Sequence, residues 1–332
     1  MAGRGQGIQP LTAGAANSEA GRALVLAENV PPPLIAIEPS GAPSWLAEAV
    51  GQGGGVLAMS NQATGIVWYG NDAGELRQVL AEAPNVRWVQ LKSAGVERYR
   101  GLLGDGRMWT CAKAIYGEAV AEHALALILA SFREIPRLAR ERRWTESVGA
   151  SLYDARVTIV GAGGIASALL ALMKPFRVSA TVVRRQSLPV AGVVRVFQRD
   201  RLSEAIEGAD VVVLACALVV DTVGLFGASQ FETMANHALL VNVGRGQLVR
   251  TEELARALRS GQIAAAALDV TDPEPLPAGH ILWELDNVLI TPHSGNPDER
   301  GRQPLARLIA ENVRRFAAKL PLQGHIDVDR GY

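Results

Sequence analysis

The sequence predicts an α/β protein made of two doubly wound parallel-sheet domains, and three observations predict it. Short apolar runs alternate with polar stretches of helical length in two series, one ending near Ala114 and one beginning near Arg156. Strands separated by helix-length connections pair in parallel as βαβ units. The runs of the second series are apolar on both faces, as a sheet covered by helices on both sides requires. Finally, the chain has 332 residues, 48% of them hydrophobic. Single cores stop growing near roughly 250–300 residues, so this length favours two.

The elements follow in order. The segment 1–22 lacks a continuous apolar stretch and reads as a disordered leader rather than a signal peptide. From Leu34 the first series runs LIAIEP, GVLAMS, GIVWYG, VRWVQL and MWTCA. A long helix is then expected from Gly117 to Arg143, with Val120, Ala124, Leu127, Ile128 and Ser131 on one face, as a bridge between domains. The second series comprises RVTIVG, SATVV, ADVVVLA, ALLVNVG, AAAALDV and NVLITP. Between its fourth and fifth members lies a helix with Thr251 as N-cap, Glu252 and Glu253 in its first turn, Leu254, Ala257 and Leu258 inward, and Gly261 as its stop. A final helix from Pro304 to Lys319 carries the stripe Leu305, Leu308, Ile309, Val313 and Phe316.

Composition excludes several functions. With 33 Lys plus Arg against 33 Asp plus Glu there is no formal charge. Binding to nucleic acid or to an anionic membrane needs an excess of cations. Two cysteines, Cys111 and Cys216, make no disulfide framework, and each reads as a buried reduced thiol. The apolar run from Val211 to Val220 is shorter than the ~18 residues of a membrane span. The protein therefore reads as cytoplasmic. His123, His237, His280 and His325 have no paired ligand spacing, so structural roles are expected for them and no metal site.

RVTIVGAGGIASALLALM reads as strand, glycine turn, helix. Gly161 allows the sharp turn, Gly163 lets backbone N–H groups approach a pyrophosphate, and Ala166 lets the helix pack on the strand. The positive end of the helix then faces the phosphates. A glycine turn used for packing alone is the alternative. At the tip of the next strand an NAD site presents an acid to the ribose 2′-hydroxyl, but here stand Arg184 and Arg185. A guanidinium forks onto a phosphate, so NADP is favoured. The alternative is two solvated arginines beside a permissive NAD site.

Ligands of open α/β sheets bind beyond the carboxyl ends of the strands. ALLVNVG is followed by Arg245, AAAALDV contains Asp269 and is followed by Glu274, and NVLITP is followed by His293. Parallel strands bring these ends to one edge, where they offer an anion clamp, a carboxylate and an acid/base group.

The glycine turn, NVGRGQLVRTEEL, GQIAAAALDVTDPEPLP and NVLITPH, in this order and spacing, resemble the D-isomer-specific 2-hydroxyacid dehydrogenase family, in particular glyoxylate/hydroxypyruvate reductases. WVQLKSAGVE resembles the substrate loop of that family and YGEAVAEHALALILA its interdomain helix. The resemblance covers nearly everything after Leu34. It implies a flavodoxin-like substrate domain, residues 23–114 and 299–332, with a Rossmann NAD(P)-binding domain, residues 115–298, inserted in it, and a homodimer. It implies hydride transfer between a small anionic 2-keto or 2-hydroxy acid and NADPH, with NAD as the alternative cofactor.

By the same resemblance, Arg245 holds the substrate carboxylate and carbonyl oxygen, and His293 protonates that oxygen as hydride reaches C2. Glu274 hydrogen-bonds His293 and favours its charged form. Asp269 contacts the nicotinamide carboxamide. Ser93, Ala94, Gly95 and Val96 point N–H groups at the carboxylate from a helix start, with Lys92 as a further candidate. Gly164, Ile165, Ala217, Val243 and Gly244 complete the cofactor contacts. Specificity for the keto acid falls to loops around Trp68, Tyr69 and Lys92, and Trp283 is expected in the core or over the pocket. Arg177 and Asp154 stand where the family has glycine, and Cys216-Ala217 replaces a proline. The alternatives are a phosphoglycerate dehydrogenase and a non-catalytic NAD(H)-sensing module of corepressor type. Glu274, where formate dehydrogenases have an amide, speaks against that activity.

Overall fold

A computed structural model describes residues 31–146, 148–186, 188–328 and 331; the leader expected over 1–22 lies outside them. Among the described residues every ladder between two strands is parallel. In the first sheet β1 (Leu34–Glu38), β2 (Val56–Leu57), β3 (Gly65–Trp68), β4 (Trp88–Leu91) and β5 (Met108–Thr110) lie in the order β2-β1-β3-β4-β5. That order is the flavodoxin-like one. Helix α1 (Trp45–Gln52) buries Trp45, Leu46, Ala49 and Val50. Helix α2 (Ala73–Ala81) is capped by Asp72, whose Oδ1 accepts the Gly74 and Glu75 N–H groups at 2.6 and 3.1 Å, satisfying donors that a helix start leaves open.

The second sheet has seven strands: β6 (Arg156–Val160), β7 (Ser179–Val183), β8 (Arg195–Phe197), β9 (Val211–Leu214), β10 (Leu239–Asn242), β11 (Ala265–Leu268) and β12 (Val288–Ile290). Their order is β12-β11-β10-β9-β6-β7-β8. It reverses between β6 and β9, and the crevice above such a reversal is where doubly wound sheets bind ligands. β8 is an addition to the six runs expected from the sequence. It is an edge strand of three residues beginning with exposed Arg195, too short and too polar to stand out as an apolar run.

Helix α3 (Gly117–Phe132) joins the two sheets and stops well before Arg143. Pro136 explains the stop. A proline clashes with the carbonyl four residues back, here that of Phe132, and cannot donate to it. Glu134 instead turns left-handed at φ 48°, and the Phe132 carbonyl accepts the Ala150 N–H at 2.6 Å. Helix α4 (Gly164–Met173) packs against α3 at two glycines, a Cβ on Gly117 falling 2.7 Å from the Gly164 carbonyl carbon. In helix α5 (Thr251–Arg259) Thr251 is the first helical residue rather than the cap, because its hydroxyl donates to the Asp272 carbonyl at 2.7 Å.

Helix α6 (Asp298–Ala317) begins six residues before Pro304, which it contains. Proline favours a first helical turn, but the Arg300 and Gly301 N–H groups, both at 3.0 Å from the Pro297 carbonyl, start the turn earlier. α6 packs on α1 and is pinned to the first sheet by a closed polar network. Gln90 Oε1 accepts Thr110 Oγ1 and Asn312 Nδ2, both at 2.8 Å, and Trp88 Nε1 donates to Thr110 Oγ1 at 2.8 Å. Fully paired, such a buried network specifies one packing. Among the described residues no helix is long and apolar enough to cross a membrane.

Candidate active site

The glycine turn sits at the reversal point. Gly161 has φ +122°, and a Cβ there would lie 2.5 Å from the Ala215 carbonyl at the end of β9. Gly164 touches Ala114 in the same way, at 3.1 Å. Gly163 differs: a Cβ on it meets nothing within 4 Å, so packing does not require glycine there. It caps α4, whose start has no side-chain cap. Ala166 is buried and Ile165 partly so. Open space over uncapped N–H groups at the positive end of a helix fits a pyrophosphate.

Beyond β7, Arg184 is half-buried and Arg185 exposed. Arg185 lines an open groove of ≈ 530 Å³ with Gln198, Arg199, Asp200, Leu225 and Gln230. Arg199 is paired with Asp221 at 3.0 Å. Ala217, on the loop after β9, accepts the Thr222 hydroxyl with its carbonyl at 2.8 Å. Cys111 is buried and Cys216 partly so, both are free, and burial pushes both thiols up to about 11.

Arg245 follows β10 on a turn built by a buried asparagine. Asn242 Nδ2 donates to the Arg245 carbonyl at 2.9 Å and Asn242 Oδ1 accepts the Gly244 N–H at 3.1 Å. Val243 and Gly244 are buried, and a Cβ on Gly244 would fall 2.8 Å from Leu248 Cδ1. The Arg245 guanidinium reaches across to the first sheet. Its Nη1 donates to the Gly244 carbonyl at 2.7 Å and its Nε lies 3.2 Å from Glu97 Oε1. A Cβ on Gly95 would fall 1.9 Å from Arg245 Nη2 and 2.5 Å from Glu97 Oε2, so the guanidinium rests on that α-carbon and a larger residue there would displace it.

Ser93 Oγ donates to the Gly95 carbonyl at 2.7 Å, Ala94 is exposed, and Val96 is buried. Val96 precedes a short 3₁₀ turn, Glu97–Leu102. That turn makes a second tie between the sheets, Arg100 Nη2 donating to the Leu218 carbonyl at 2.7 Å. Lys92 Nζ stands 4.5 Å from the centre of the Tyr69 ring. Trp68, around which a specificity loop is expected, is itself fully buried, its Nε1 donating to the Tyr99 hydroxyl at 3.1 Å. Trp283 is not a core residue either: it is 51% exposed, with Nε1 donating to the Pro277 carbonyl at 3.0 Å.

His293 and Glu274 meet. His293 Nδ1 is 2.7 Å from Glu274 Oε1, with side chains 51% and 41% exposed. Glu274 lies between Pro273 and Pro275, which restrict its backbone. His293 is left-handed at φ 52°, and its N–H donates to the Asp269 carbonyl at 2.8 Å. Asp269 itself is only 3% exposed. The resemblance implies a contact to a nicotinamide carboxamide, and its oxygens accept Thr291 Oγ1 at 2.7 Å, the Ser294 N–H at 2.8 Å and the Gly295 N–H at 3.0 Å.

Among the other histidines, His237 Nε2 meets Asp210 at 2.8 Å and His280 Nδ1 accepts the Leu282 N–H at 3.2 Å. No group of three potential metal ligands occurs among the described residues. Sequence reasoning passed over Glu97 and Asn242 and gave His123 only a structural role. An amide closing an apolar strand, Asn242, is the one signal that could have been read locally; the other two act through contacts far along the chain.

The sequence profile of the D-isomer specific 2-hydroxyacid dehydrogenase NAD-binding domain matches residues 125–295. An uncharacterized protein of Corynebacterium melassecola is 39% identical over 256 residues, 75% of this chain and 84% of its own. The glyoxylate reductase/hydroxypyruvate reductase of Mus musculus is 32% identical over 262 residues, 76% of this chain and 80% of its own. Among solved structures, a D-isomer specific 2-hydroxyacid dehydrogenase from Xanthobacter autotrophicus Py2, in complex with NADPH and MES, superposes with a TM-score of 0.79 at 26% identity, covering 91% of this chain and 100% of that one.

Proposed function

This chain belongs to the D-isomer specific 2-hydroxyacid dehydrogenase family and is an NAD(P)-dependent oxidoreductase, and from that premise we propose that it reduces small 2-keto acids such as glyoxylate or hydroxypyruvate, with NADPH as the preferred donor. The observation that carries the reading is the His293–Glu274 contact at 2.7 Å, on the strand edge that also presents Arg245. Glu274 takes up Nδ1, which leaves Nε2 of His293 to give a proton. A proton donor beside a guanidinium suits a carbonyl next to a carboxylate.

Each residue then has a step. Arg245 holds the keto acid by its carboxylate, with the backbone of Ser93 to Val96 beside it. His293 Nε2 delivers a proton to the carbonyl oxygen while Glu274 holds the imidazolium that donates it. The nicotinamide, when bound, supplies the hydride that C2 receives. Gly161, Gly163 and the start of α4 accommodate the pyrophosphate. Arg184 and Arg185 favour a 2′-phosphate, although Asp200 shares the groove. The relatives support this reading: the mouse protein is named for glyoxylate and hydroxypyruvate, and the Xanthobacter structure holds NADPH.

The test is a panel of glyoxylate, hydroxypyruvate and pyruvate, each with NADPH and NADH, followed by the absorbance of reduced nicotinamide. The expected result is turnover of at least one keto acid with a higher kcat/KM for NADPH. Nucleotide binding without turnover of any of them would leave a nucleotide-sensing module as the better reading, and an equal or better kcat/KM with NADH would sink the NADP preference.

A further inference from the structure

The loop that carries His293 is gripped from the helix that joins the two sheets. His123, on α3, places Nε2 3.0 Å from Thr291 Oγ1 and 3.1 Å from Asp269 Oδ1. The hydrogens around it can be assigned. The single hydroxyl hydrogen of Thr291 goes to Asp269 Oδ1 at 2.7 Å, so toward His123 the threonine can only accept, and a carboxylate accepts as well. Nε2 therefore carries a hydrogen and shares it between the two.

Asp269 spends its remaining capacity on the loop. Its Oδ1 accepts the Ser294 N–H at 2.8 Å, its Oδ2 the Gly295 N–H at 3.0 Å, and its main-chain carbonyl the His293 N–H at 2.8 Å. Three successive N–H groups, beginning with that of His293, thus hang on one aspartate. A left-handed non-glycine residue such as His293, at φ 52°, persists only where its surroundings over-determine it. The imidazole of His123 also closes the turn from outside: a Cβ on Gly295 would lie 2.9 Å from Asp269 Oδ2 and 3.6 Å from His123 Cδ2.

We infer that His123 is a positioning residue for the acid/base group: by donating to Asp269 and Thr291 it fixes the carboxylate that holds residues 294 and 295, next to the Asp269 main-chain carbonyl that holds His293, and so keeps His293 on Glu274. This rests on His293 being the proton donor. It gives His123 a task that its sequence context does not display, and it makes α3 part of the support of the reacting group as well as a connector.

The experiment compares the H123A, H123Q and H293N variants of the full chain. The glutamine amide nitrogen replaces the Nε2 donor. H123A is expected to lower kcat by about tenfold or more, since displacements near 1 Å cost up to roughly a hundredfold. KM for the keto acid should stay within about twofold, because Arg245 is untouched. H123Q should recover most of kcat. A merely structural histidine would lower active enzyme and thermal midpoint without splitting kcat from KM. If H123A fails to fold, T291V, which removes the hydroxyl between His123 and Asp269, should show the same split to a smaller degree. Unchanged kcat in H123A, no rescue by glutamine, or a loss confined to KM would overturn the inference. An active H293N would instead overturn the assignment of His293 on which it rests.

Discussion

The two edges of the seven-stranded sheet are furnished with the same residue types and use them differently. Where strands begin, charges are matched locally: Asp210 accepts the Arg156 N–H at 2.6 Å and meets His237 Nε2 at 2.8 Å, and Asp154 takes Nε and Nη2 of Arg177 at 2.9 and 2.8 Å. Where strands end, Arg245 reaches across to Glu97 beside the other sheet, His293 Nε2 has no hydrogen-bond partner among the described residues, and Gly163 faces open space. One edge satisfies its polar groups internally and contributes stability. The other rests Arg245 on Glu97 and turns the Nε2 side of His293 and the start of α4 to a ligand, which is where doubly wound folds place their chemistry.

If the division holds, substitutions at the finishing edge should cost rate, and those at the starting edge stability. The largest effect is expected at Arg245. A lysine keeps the charge but loses the planar fork, so R245K should lower kcat/KM by roughly a hundredfold or more while the thermal midpoint stays put. A fall in melting temperature with kinetics preserved would merge the two edges.

Asp210 should behave in the opposite way. Burial alone would raise its carboxyl, but the Arg156 backbone and side chain and His237 outweigh burial and hold it below the ordinary carboxylate range. A lowered folded value means a contribution that is full above the unfolded value and is lost as pH falls through the folded one. D210N should therefore melt roughly 2–4 °C below the wild type near neutrality, and the gap should close below about pH 4. Turnover should be unaffected; a gap that persists at low pH would break the assignment.

The smallest effect concerns Asp154 and Arg177, at φ 61° and 55°. Both are left-handed, the conformation glycine adopts most cheaply, and the exposed pair between them offsets part of the strain. D154G/R177G gives up both strain and pair. Its melting temperature should rise by no more than roughly 2 °C; a clear fall would show that the pair matters more than the backbone.

These two residues also show what the sequence could convey. The resemblance marks both as departures from glycine at separate places, yet only the fold reveals that they face each other and that the turns keep their shape. Apolar runs located eleven of the twelve strands among the described residues because most of these parallel strands are buried, exposed β2 standing out by its two apolar residues, and Arg245, Glu274 and His293 were legible because each follows such a run. Pro136 was visible but was outweighed by the apolar pattern around it, and Pro304 misplaced the start of α6. His123, Glu97 and Asn312 meet Asp269, Arg245 and Gln90 across separations of 146, 148 and 222 positions, and no local pattern encodes such contacts.

The account turns on His293 as the proton donor, and H293N tests it most directly. The variant should bind NADPH within about twofold of the wild type and lose roughly a thousandfold or more in kcat, the range expected when a positioned acid is removed. A kcat within about tenfold of the wild type would contradict it.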